Sequence, residues 1–100
     1  MMILKQRTWI HKNELLESII VTDSGKTKFY SHTYLVRDSS RGWIPYVKWD
    51  NWEGQPHADK YDGSGALTEQ KSCGEQTTDD VLKLVKIFRK NLLAMELSKL

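Results

Sequence analysis

Asp50, His57, Asp59 and Asp62 flank a single turn in the stretch GWIPYVKWDNWEGQPHADKYD, which also holds three of the four tryptophans of the chain. A histidine beside a carboxylate can move protons near neutral pH, because imidazole is the side chain whose ordinary pKa is poised there. The same groups can hold a hard or borderline divalent metal. The plainer alternative is an ordinary hairpin: Asp50, Asn51 and Gly54 make the turn, and His57 is a solvated surface residue. Geometry separates the two. If residues 42–50 pair with residues 57–62 about a turn centred on Glu53-Gly54, Asp50 and His57 face each other, with Cβ atoms about 4.5–5.5 Å apart. A carboxylate that close favours the charged imidazole.

Basic and aromatic residues surround this group. Lys48 and Lys60 lie on the same two strands. Trp43, Tyr46, Trp49, Trp52 and Tyr61 can stack on unpaired bases or can simply be core. Trp52 sits at the turn, and an exposed tryptophan marks a contact surface. Lys26, Lys28, Arg37 and Arg41 lie near hairpin turns, and Lys83, Lys86 and Lys90 form a further basic strip with Arg89 beside it; such cations touch phosphates or form a solvated face. His32, between Tyr30 and Tyr34, reads as a hydrogen-bonded, partly buried histidine, and His11 as solvent-facing. Cys73 has no activating neighbour and reads as an incidental thiol. Gly63-Ser64-Gly65 precedes no helix and lacks the lysine of a phosphate loop. No serine-nucleophile motif and no paired-histidine metal helix occurs, and no metal is assigned.

Strands must position these groups. Residues 3–11 alternate loosely, and the β-branched run Ile19-Ile20-Val21-Thr22 makes 14–22 a strand as well. Asp23-Ser24-Gly25-Lys26 is a tight turn. Residues 27–37 alternate most clearly, with Tyr30, His32, Tyr34 and Val36 on one face and Phe29, Ser31, Thr33 and Leu35 on the other. Residues 43–50 follow, with Trp43, Val47 and Trp49 sharing a face opposite Ile44, Tyr46, Lys48 and Asp50. Pro45 marks an edge position or a bulge. Residues 57–62 form a short strand with His57, Asp59 and Tyr61 on one side. Residues 63–76 read as a long polar loop. Thr77 or Thr78 caps a helix with Asp79 and Asp80 in its first turn. Val81, Leu84, Val85, Phe88, Leu92 and Met95 keep helical spacing to about Leu97. The expected fold is α+β: an antiparallel β-meander of three to five strands with one C-terminal amphipathic helix packed on one face.

The chain has 100 residues and a net charge of +2, enough for one domain with a single core, residues 1–100. A pI near 8.7 permits a nucleic-acid partner without demanding one. The single cysteine rules out an internal disulfide and fits a reducing, cytoplasmic setting. Lys5 and Arg7 interrupt any N-terminal apolar run, and no aliphatic stretch is long enough to span a membrane.

Trp49-Asp50-Asn51, Gly54 and Pro56-His57 resemble the core of the small prokaryotic TumE-like toxin group and its uncharacterised relatives, over roughly residues 43–62. The group has an aromatic-Asp-Asn step, a His-Gly turn and a Pro-His pair followed by a second histidine. This chain carries Glu53 and Asp59 where the group has histidines. The resemblance implies a small α+β RNA-cleaving toxin encoded with a helix-turn-helix antitoxin. In that frame His57 is the acid–base, Asp50 orients it or the substrate, and Asp59 and Glu53 are auxiliary carboxylates. Lys48, Lys60, Trp52 and Tyr61 bind substrate. A different class of function is also open: a non-catalytic interaction module, binding a small partner or a second copy as a homodimer through Trp52 and the C-terminal helix.

Overall fold

A computed structural model describes residues 1–100, and the chain is α+β. Six strands form one antiparallel sheet in sequence order: β1 (Met2–His11), β2 (Glu14–Asp23), β3 (Lys26–Asp38), β4 (Gly42–Asp50), β5 (His57–Tyr61) and β6 (Leu67–Ser72). Helix α1 (Thr78–Phe88) follows and lies on one face of this meander. Short 3-10 turns follow at Arg89–Leu93 and Leu97–Lys99. No helix is long and apolar enough to cross a membrane.

The core is the helix side of the sheet. Leu16, Tyr34, Val36, Val47, Trp49 and Ala58 meet Val81 and Val85 of α1 and Leu92 and Leu97 beyond it. The alternation of β3 therefore resolves with Tyr30, His32, Tyr34 and Val36 inward. Ser24 and Gly25, with φ of 52° and 75°, close the β2–β3 hairpin between paired Asp23 and Lys26. That is the double positive φ a two-residue hairpin turn requires.

Three expectations change. The sheet has six strands because residues 67–72, read as loop, pair with β5. Their polar sequence LTEQKS suits an edge strand with little to bury. The helix stops at Phe88 instead of near Leu97, where Arg89 takes a φ of 44°. The chain turns there while the Arg89 guanidinium binds buried Glu14 on β2. On β4, Leu35 is opposite Pro45 while Tyr34 is opposite Val47, so Tyr46 is an extra residue. That bulge, which Pro45 signals, moves Ile44 onto the helix side with Val47 and Trp49. Trp43 goes to the other face, where its ring meets Trp9 edge-on with centroids 5.7 Å apart. Glu14, of which the sequence reading said nothing, is a buried carboxylate held by Tyr34 and Arg89.

Candidate functional site

Because Trp49 and Ala58 point to the helix, Lys48, Asp50, His57 and Asp59 point to the sheet face that no helix covers. The β4–β5 register sets Asp50 opposite His57 and Lys48 opposite Asp59. A 3-10 turn at Trp52–Gly54 joins the two strands, with Glu53 and Gly54 at φ of 58° and 73°. Asp50 stabilises this connection by accepting the Trp52 N–H at Oδ1 (2.9 Å). Buried Asn51 ties it to β3 by accepting the Tyr30 N–H (2.8 Å). The turn is thus held rigidly enough to fix the residues at its mouth.

Asp50, His57 and Asp59 converge there, with one donor atom from each within 4.8 Å of the others. His57 Nε2 lies 3.3 Å from Asp50 Oδ1 and 3.4 Å from Asp59 Oδ2. The two aspartates are 3% and 6% exposed, which is rare for carboxylates without a compensating charge. His57 Nδ1 lies 2.8 Å from the Gln55 carbonyl. A carbonyl only accepts, so Nδ1 carries a proton and Nε2 is the atom presented to the carboxylates. Asp59 Oδ1 accepts from Gln70 Nε2 (2.7 Å). Lys48 Nζ stands 3.4 Å from Asp50 Oδ2. Burial works against the Lys48 ammonium, but Tyr61, Asp50 and Asp59 outweigh it and raise its pKa.

The site residues read from the sequence divide accordingly. Asp50, His57, Asp59 and Lys48 come together, and Tyr61 acts on Lys48. Trp52 is 64% exposed and stands edge-on to Phe29, with ring centroids 6.1 Å apart. Glu53 sits exposed on the turn and pairs with none of the cluster. Lys60 lies opposite Val47, on the side of the sheet away from His57. Asp62 is not part of the cluster: it organises its own turn, accepting from Ser64 N–H (2.8 Å), Ser64 Oγ (2.6 Å) and Ala66 N–H (3.1 Å). Those hydrogen bonds hold its carboxyl below the usual range. The Cys73 thiol is pushed up by burial and is not an activated nucleophile. Lys83, Lys86 and Lys90 are exposed on the helix side, across the sheet from the cluster.

Two contributors escaped the sequence reading. Gln55 acts through its carbonyl, which no side-chain pattern reveals. Gln70 belongs to β6, whose polar sequence LTEQKS has no alternation in hydropathy that could have pointed to it.

Chemically, both ring nitrogens of His57 are committed. Nε2 either holds a proton between two carboxylates or offers its lone pair to a cation between them. Comparison with family models, with curated proteins and with solved structures gave no match.

Proposed function

We propose that the chain cleaves RNA, with Asp50, His57 and Asp59 as the reaction centre and the helix-free sheet face as the surface that receives the strand. The observation behind this is a pair of buried carboxylates flanking one imidazole at a sheet face left open to a macromolecule. Phosphodiester cleavage needs a base for the attacking oxygen and positive charge for the phosphate. The cluster supplies the first and Lys48 the second.

Aromatic rings support the choice of substrate. Trp52 against Phe29, and Trp9 against Trp43, are available on the same face for stacking on unpaired bases. The likeness of residues 43–62 to TumE-like toxins points the same way. It brings a cytoplasmic setting and a helix-turn-helix antitoxin as the expected partner. Lys60 and Glu53, away from the cluster, are left out of the chemistry.

Induced expression should slow growth, and the purified protein should cut total RNA. His57→Ala should lower the cleavage rate by about 10²–10⁴-fold. A wild-type protein that neither slows growth nor cuts RNA, with or without divalent metal, overturns the proposal.

A second reading is an interaction module that self-associates or binds a small partner. It is favoured by edge strand β1, where Met2, Ile3 and Leu4 are all exposed. The helix contributes less than its sequence suggests, since Val81 and Val85 are spent on the sheet and Ile87 is its one large exposed apolar residue. Light scattering across concentrations tests it: a strict monomer without a co-purifying partner counts against it.

A further inference from the structure

We propose that Asp50, His57 and Asp59 bind one borderline divalent cation of the zinc type, with His57 Nε2 and one oxygen of each carboxylate as its ligands. This deepens the RNA-cleaving reading of the same site and rests on it for the use of the ion, though not for its binding.

The donor set is the first ground. One imidazole and two carboxylates suit zinc or manganese, whereas magnesium and calcium prefer oxygen alone. Three protein ligands also leave a coordination position for water or substrate.

The spacing is the second. Zinc bonds of about 2.0–2.2 Å at tetrahedral angles keep neighbouring donor atoms about 3.3–3.6 Å apart. His57 Nε2 stands 3.3 and 3.4 Å from the two carboxylate oxygens, and the three donor atoms all lie within 4.8 Å of one another. An octahedral magnesium shell would need them near 2.9 Å, from bonds of about 2.0–2.1 Å.

The third lies outside the three ligands. His57 donates Nδ1–H to the Gln55 carbonyl, and Gln70 donates to the far oxygen of Asp59. Ligating histidines and carboxylates are oriented by this kind of outer hydrogen bond. Asp59 Oδ2 is left with His57 Nε2 alone for company, on a side chain more than nine-tenths buried. The three donors are therefore gathered before any ion arrives, which lowers the cost of reorganisation.

Bound there, the ion would carry out the cluster's task as base by acidifying a water molecule, and would polarise a phosphate oxygen. Lys48, on the far oxygen of Asp50, would remain beside it for the substrate's negative charge.

The test is calorimetric titration of ZnCl2, MnCl2 or MgCl2 into the full chain after chelator treatment. One Zn²⁺ per chain is expected, with weaker Mn²⁺ and no measurable Mg²⁺ at the same concentrations. Asp59→Asn, nearly isosteric, should weaken zinc at least about tenfold, as should Gln70→Leu, which removes only the orienting hydrogen bond. His57→Ala should abolish it, while His11→Gln should leave it unchanged. Co²⁺ should give a visible absorption band that is lost in Asp59→Asn. Circular dichroism identifies any variant that fails to fold, and Gln70→Leu then carries the decision. Zinc uptake that is absent, or unaltered in Asp59→Asn and Gln70→Leu, overturns the proposal. Zinc binding without RNA cleavage would overturn the proposed function alone. Full cleavage in excess chelator by protein that takes up no zinc would overturn the ion alone.

Discussion

Tyr34 and Arg89 share the carboxylate of Glu14, which is buried under the turn that ends α1. Arg89 holds the Glu14 pKa below its ordinary value of 4.5, against the opposing effect of burial and with help from Tyr34. Burial and Glu14 in turn push the Tyr34 phenol far up. Tyr34→Phe keeps the packing and removes a hydrogen bond to a charged group, so it should cost about 1.5–3 kcal/mol in urea unfolding. The depressed pKa fixes a sign as well. The stability that Glu14 contributes is complete above pH 4.5 and is lost as pH falls through its lower folded value. Arg89→Met should lower stability at neutral pH and flatten that acid limb, read from urea midpoints across pH. Little of this was legible in the sequence. Glu14 and Arg89 are 75 residues apart, and a glutamate at a strand end ordinarily faces water. The ionisable cluster was far more legible, because Asp50 and His57 are joined by one short turn whose centre can be read from Gly54. Asp59 follows from strand alternation, whereas the remote Gln70 does not.

Among elements, the join between β6 and α1 governs how the helix docks. Thr77 caps α1 by accepting the Asp80 N–H at its hydroxyl, while the Asp80 carboxylate accepts the Thr77 N–H. Thr77→Ala should cost about 0.5–2 kcal/mol, measured by denaturant unfolding. One residue earlier, Gln76 offers its carbonyl to His32 Nε2 (3.2 Å), and His32 Nδ1 accepts from Ser18 Oγ at 2.8 Å. The ring stacks on Tyr30 and thereby links β2, β3 and the helix start. Burial pushes the His32 pKa below 6.5, although Gln76 and Asp80 oppose this. The unfolded ring therefore takes up a proton before the folded one does. Stability should be complete above pH 6.5 and decline as pH falls below it, and His32→Gln should flatten that slope in thermal melts. The sequence showed the cap and the two faces of β3, since both are local patterns, but not which face turns inward, because both carry apolar groups. It hid β6, because an edge strand with nothing to bury need not alternate in hydropathy. It also hid the face of Trp43, because the extra residue on β4 inverts the side-chain period.

At the scale of the molecule, the sheet divides two tasks. Its helix side holds the apolar core, and its other side holds the ionisable cluster and the exposed rings. Asp59→Asn should therefore change chemistry more than stability, and Val85→Ala the reverse, at about 1–3 kcal/mol by denaturant unfolding. Every strand also pairs with its neighbour in sequence, so no pairing has to wait for a distant part of the chain. During synthesis the ribosome releases the N-terminal end first. The sheet can then lengthen one hairpin at a time in the order of translation. The hairpin bearing Asp50 and His57 would be assembled before the helix emerges. Trp49, Val47 and Tyr34 would meanwhile stay uncovered until residues 78–97 arrive. A nascent chain that has emerged as far as residue 75 should consequently carry the ionisable cluster in place but present a greasy underside, making it a client for chaperones until the helix seals it.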